Sequence, residues 1–209
     1  MYTLYYSPGS ASMVVHLALL EIGAPHKLEL VDLESAQQRS PEYLKLNPQG
    51  VVPTLVIDGR VMTESAALLM MLCERHPESQ LSPAMGTSER EAWLQWIVYL
   101  SNSLAAPYRL WFYPAELGWT EHTAESRKAV QEIIEKVWNR LDAHLATHGP
   151  YLLGQQFSGA DLLLTMLMRW SRNMPRPATE WPALKELADL IRARESWKKL
   201  YAIEGLSEW

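Results

Sequence analysis

The chain has 209 residues, 48% of them apolar, and a formal net charge of −5, enough to bury a substantial core as one large domain or two small ones. Its lysines and arginines are scattered with no basic stripe, so neither nucleic acid nor a membrane surface is expected as a partner. The first residues, Met1 to Tyr6, carry no charged and apolar leader pattern, no apolar run approaches a membrane span, and the single cysteine, Cys73, excludes an intrachain disulfide and a cysteine-based metal cluster; a cytoplasmic protein is expected.

Tyr2 to Tyr6 reads as a short aromatic strand that ends at Ser7-Pro8-Gly9. The apolar stretch from about Ala11 to Ile22, closed by Gly23, predicts a helix. His26 to Leu33 alternates as a strand does, and the polar segment Glu34 to Asn47 suits a long functional loop with one or two short helical turns. Val51 to Ile57 predicts a strand begun through Val-Pro. Asp58-Gly59 then turns the chain into Arg60-Val61-Met62, and Thr63 caps a helix from Glu64 to His76. This β-α-β-irregular-β-β-α order implies a mixed sheet covered by helices over residues 1–76.

Pro77 to Ser88, rich in proline, serine and glycine, is the expected linker, and residues 89–209 read as all-helical. Glu89 to about Tyr113 and Glu121 to about Thr147 are long helical patterns, while Ser158-Gly-Ala-Asp161 has the spacing of a capping box opening the apolar Leu162 to Trp170. Two further helices are expected after Trp181-Pro182 and at Glu195. Cys73 falls on an apolar helical pattern and reads as a buried structural thiol.

Leu4-Tyr-Tyr-Ser-Pro-Gly-Ser10, Asn47-Pro-Gln-Gly50, Val52-Pro53, Thr63-Glu-Ser65 and Phe157-Ser-Gly-Ala-Asp161 occur in this order along the chain. Together they resemble a cytosolic glutathione S-transferase, nearest to the bacterial beta class. The resemblance implies an N-terminal thioredoxin-like domain with a four-stranded mixed sheet, followed by an all-helical domain, and a homodimer. It further implies a cis peptide at Val52-Pro53. The chain departs from the beta class where that class carries cysteine, here Ala11, and where it carries a helix histidine, here Asn102.

Glutathione is anionic, and helix N-termini offer unpaired N–H groups to such a ligand. Glu64-Ser65 opens one helix, suited to the γ-glutamyl carboxylate, and Ser10-Ala11-Ser12 opens another near the thiol; capping alone is the alternative for both. With Val52-Pro53 cis, the freed Val52 backbone groups would pair with the cysteinyl main chain, with Gln49 in the same loop. A free thiol has a pKa of about 8.5, and lowering it by roughly two units takes about 2.7 kcal/mol. One hydroxyl donating to a charged group contributes about 1.5 to 3 kcal/mol, so a single serine suffices. Ser10 is the expected donor, Ser12 the competing choice, and Tyr5 a further alternative that core packing also explains.

Asn102, Ala106, Arg109 and Tyr113 share a helical face and are expected to meet the second substrate, a small electrophile; Arg109 would steer an anion or pair with a carboxylate. Trp93, Trp96, Leu100 and Leu104 form a core stripe. His144 and His148 lie four residues apart without a third ligand, so solvent-exposed histidines and no metal are expected. The reading is a transferase that uses glutathione as co-substrate. A peroxidase, isomerase or dehalogenase starting from the same thiolate, or a non-catalytic glutathione-binding or interaction protein, stands as the alternative.

Overall fold

In the computed structural model, which describes residues 1–207 and 209, β1 (Tyr2–Tyr6) lies inside a four-stranded sheet with the order β2-β1-β3-β4. β2 (His26–Leu30) runs parallel to it. β3 (Thr54–Ile57) and β4 (Arg60–Met62) follow as antiparallel neighbours, with Leu4 opposite Leu28 and Leu55. The mixed four-stranded sheet with helices is the thioredoxin-like arrangement expected. β2 ends three residues earlier than its alternation suggested. The Asp32 carboxylate accepts the Glu34 and Ser35 amides and curls the chain away from the sheet.

α1 (Met13–Ile22) buries every side chain from Met13 to Leu19, so it behaves as an interior helix and not an amphipathic one. Gly23 closes it in the left-handed conformation. The polar segment holds a single 3-10 turn, Gln37–Arg39, and α2 (Pro41–Leu46), which Ser40 caps through the Tyr43 amide. α3 (Ser65–Arg75) begins one residue later than expected. The residue at its cap is Glu64, not Thr63, and its backbone has φ 70° with no side-chain capping bond.

The chain divides into two compact units, residues 1–82 with 191–209, and residues 83–190. In the second, α4 (Ser88–Leu100) and α5 (Ala106–Phe112) replace the single long helix expected, joined by a π-helical turn, Ser101–Ala105. Pro107 has no N–H for the carbonyl four residues before it, and the wider turn absorbs the resulting gap in the ladder. Trp93, Leu100 and Leu104 are fully buried and Trp96 nearly so, as a core stripe requires. α6 (Ala124–His148) is capped by Thr123. Its Asp142 carboxylate accepts the Ala183 and Leu184 amides and so caps α8 (Pro182–Arg192) from another helix.

α7 (Gly159–Trp170) opens with the capping box its spacing predicted: the Ser158 amide donates to Asp161 at 2.8 Å and the Ala160 amide to Ser158 Oγ at 3.3 Å. His144 is half-buried against Trp96 and bonded to the Leu152 carbonyl, so it is a packing residue and not the solvated one expected. The last helix, α9 (Glu195–Glu204), belongs to the first unit and packs on α1. The sequence pattern alone places this segment with the all-helical part, residues 89–209.

Candidate active site

The loop between β1 and α1 is built from serines. Ser12 is fully buried, accepts the Ser7 amide at 3.2 Å and donates to the Ser7 carbonyl at 3.1 Å. Ser10 Oγ lies 2.8 Å from Ser12 Oγ and accepts the Ser12 amide. Because the Ser12 proton is committed to a carbonyl, the proton between the two hydroxyls belongs to Ser10. Ser10 is also the more exposed of the pair, so its O–H can leave Ser12 for an incoming acceptor while the Ser12 bonds to Ser7 stay intact.

A second loop approaches through Val52 and Pro53. Their peptide is cis, and the Val52 amide and carbonyl take no hydrogen bond from the described residues. The backbone on either side is held from beneath. Asn47, buried to 1% exposure, donates to the Val51 carbonyl at 2.8 Å and to Thr54 Oγ1 at 3.0 Å, and accepts the Gln49 amide. The Tyr43 hydroxyl donates to the same Val51 carbonyl, and burial pushes its pKa above the ordinary phenol value. Tyr5 packs edge-on against Tyr43 at 6.0 Å, in the apolar cluster that includes Val31 and Val52. Arg39 donates to the Gln49 carbonyl at 3.2 Å, and Gln49 itself is exposed.

The third element is the start of α3. Glu64 is exposed, with the positive φ that a non-glycine residue holds at a cost of about 1–3 kcal/mol. The Ser65 hydroxyl donates to the Ala11 carbonyl at 2.9 Å, tying the α3 terminus to the serine loop. The first unit therefore contains Tyr5, Ser10, Ser12, Gln49, Val52, Pro53, Glu64 and Ser65. A direct bond links the Ser65 terminus to the serine loop, and Asn47 and Tyr43 hold the loop that carries Gln49, Val52 and Pro53. Tyr6, on the other face of the strand from Tyr5, is half-buried; desolvation first, and then the Glu204 charge, push its hydroxyl pKa up.

Asn102, Ala106, Arg109 and Tyr113 belong to the second unit, where all four are exposed. Arg109 donates through Nε to Glu116 at 2.6 Å and through Nη2 to the other carboxylate oxygen, and it lies over the Tyr113 ring. It therefore pairs with a carboxylate, the second of its two expected roles. Among the described residues no group of three or more His, Cys, Asp or Glu side chains is placed to hold a metal ion.

Two groups at the site carry no sequence signal. The Gly9 amide donates to Glu204 Oε2 at 2.9 Å, and His16 Nδ1 meets Glu204 Oε1 at 2.7 Å, although 195 and 188 residues separate the partners. Asn47 did stand in a recognisable turn, but its role as a buried brace shows only once the loop is folded around it.

Two family models match the chain in order: the glutathione S-transferase N-terminal domain over residues 4–80 and the C-terminal domain over residues 107–202. Glutathione S-transferase GST-4.5 of Xanthomonas campestris is 32% identical over 206 residues, 98% of this chain and 99% of that protein. The beta-class glutathione S-transferase of Sphingomonas chungbukensis superposes with a TM-score of 0.86 at 28% identity, covering 98% of this chain and all of the other. A sphingomonad glutathione S-transferase solved with glutathione gives 0.86 at 29% identity, with the same coverage. Both halves of the architecture, the order of the loops and the relatives along nearly the whole length agree: the chain is an enzyme belonging to the glutathione S-transferase family.

Proposed function

We propose that this transferase activates bound reduced glutathione through the hydroxyl of Ser10 and conjugates the resulting thiolate to small electrophiles. The observation that carries the reading is the division of labour between the two serines. Ser12 is sealed and bonded to Ser7 through both its donor and its acceptor contact, whereas the more exposed Ser10 holds a hydroxyl proton that can be redirected with those Ser12–Ser7 bonds intact. A hydroxyl donating to a thiolate contributes about 1.5 to 3 kcal/mol, and the start of α1 adds roughly 0.3 to 1. Together these match a depression of roughly two pKa units.

The rest of glutathione follows from the free groups. Its cysteinyl main chain pairs with the Val52 amide and carbonyl, next to Gln49. The γ-glutamyl carboxylate lies at the α3 N-terminus with Glu64 and Ser65, where the Ser65 hydroxyl turns from the Ala11 carbonyl to the ligand. Asn102, Arg109 and Tyr113 meet the electrophile. With Arg109 neutralised by Glu116, an uncharged electrophile is favoured over an anionic one. Family membership supports a cytoplasmic homodimer, which light scattering would read.

The test is titration of purified protein with reduced glutathione, following thiolate absorbance across pH. The expected thiol pKa is at least about one unit below the free value of about 8.5, and Ser10→Ala raises it by about one to two units. Ser12→Ala is expected to cost about 1–2 kcal/mol of fold stability through its lost buried bonds. Binding with an unshifted pKa would instead mark a carrier, and absence of binding at millimolar glutathione would overturn the reading.

A further inference from the structure

The turn that carries Ser10 has a weak point. Ser10 N–H bonds back to the Ser7 carbonyl at 3.2 Å, with Pro8 and Gly9 between them and Gly9 at φ 66°. Proline followed by a left-handed glycine is the signature of a type II turn, and the peptide joining these two residues can flip to the type I form at little steric cost. The N–H that swings in such a flip is that of Gly9. It is the N–H that Glu204 accepts.

Glu204 sits at the end of α9 with a fully buried side chain. One carboxylate oxygen takes the Gly9 amide, and the other takes His16 Nδ1–H from α1. His16 is fully buried, with its Nε2 unpartnered. The other titratable rings facing it are Tyr6 at 6.1 Å and His26 at 5.6 Å between centroids. A buried carboxylate is a poor device for merely holding two helices together, since apolar side chains of similar volume do that as well or better. Trp197 and Leu200 already bury α9, and Glu21 with Arg194 and Ser196 fastens its start.

We propose that Glu204 is a positioning residue for catalysis: through the Gly9 amide it locks the Ser7–Ser10 turn in the form that presents the Ser10 hydroxyl, and His16 orients the carboxylate. The inference rests on the role proposed for Ser10.

Two variants of the full chain separate the hydrogen bond from the charge. Glu204→Gln removes the charge but keeps an acceptor for Gly9 and a donor for the other tautomer of His16. Glu204→Asp keeps the charge but is one methylene too short to reach both partners. Near-ultraviolet circular dichroism confirms the fold, and S-methylglutathione, which has no thiol, reports binding alone. The expected result is a bound-thiol pKa raised by about half to one unit in Glu204→Asp and rescued to the wild-type value in Glu204→Gln. S-methylglutathione affinity stays within about twofold in both. Equal rises in both variants, or an unchanged pKa in folded Glu204→Asp, overturn the proposal.

Ser10→Ala measured alongside keeps the two ideas apart. If only Glu204→Asp shifts the pKa, the turn is held but the hydroxyl role falls; if only Ser10→Ala does, the hydroxyl role stands and the positioning role falls. Should Glu204→Asp fail to fold, hydrogen exchange of the wild-type Gly9 amide decides. Slowing by at least about tenfold relative to an open chain supports the lock, and open-chain exchange overturns it.

Discussion

Gly50 shows how little freedom single residues have in the loop that carries Gln49, Val52 and Pro53. Its φ is 63°, and a Cβ there would lie 2.7 Å from Arg39 Nη1 and 2.9 Å from the Gln38 carbonyl. Gly50→Ala is expected to cost about 1–3 kcal/mol in urea unfolding and to weaken S-methylglutathione binding in calorimetry, because Gln49 and Val52, the residues proposed to meet the ligand, lie within two positions of it. The turn around Gly50 was legible in the sequence, as were the helix start near Ser65 and, through the family resemblance, the cis Val52-Pro53 peptide, since each stands in a short motif with a local geometric meaning. What was not legible is which of the two serines flanking Ala11 is sealed. That depends on the carbonyl of Ser7 and on burial in the fold, neither of which leaves a mark on residue type.

At the scale of elements, boundaries followed local chemistry wherever a cap was local. The Ser158 box and the Gly23 stop were visible in sequence, whereas the Asp142 cap on α8 comes from a different helix and was not. The π-turn after Leu100 was hidden as well, because apolar periodicity runs on through it and only Pro107 hints at a disturbed ladder. α9 is fastened to α1 by Glu21, whose carboxylate accepts Arg194 at 2.6 and 2.7 Å and the Ser196 hydroxyl. Burial alone would raise its pKa, but these hydrogen bonds and the Arg194 charge bring the net below the ordinary carboxylate value. A depressed folded-state pKa stabilises the fold above the unfolded value, near 4.5, and the contribution disappears as pH falls through the folded value. Glu21→Gln should therefore unfold at lower temperature than wild type at pH 7, and the gap should close as the pH of the melt is lowered through the range below 4.5.

For the whole molecule, both chain ends contribute to one unit, residues 1–82 and 191–209. The two-part order, sheet first and helices after, could be read from composition. The return of the last segment could not, since helix periodicity says which face is apolar but not which partner covers it. A chain stopped after Leu190 loses Trp197, Leu200 and Glu204 from the surface of α1. Its first unit is expected to melt at least about 10 °C lower and to bind glutathione with a thiol pKa raised by at least about half a unit over the full chain, as differential scanning calorimetry and the ultraviolet titration would show.

The lone Cys73 sits on α3 at 1% exposure, and the serine loop holds no sulfur at all. Thiol-directed alkylating reagents therefore find little to attack, and peroxide meets exposed thioethers such as Met85 instead of a thiolate. Catalysis should survive iodoacetamide or mild peroxide treatment at doses that silence an exposed-thiol enzyme. A cysteine introduced on the surface would then offer the single accessible handle for attaching a fluorophore without scavenging native thiols first.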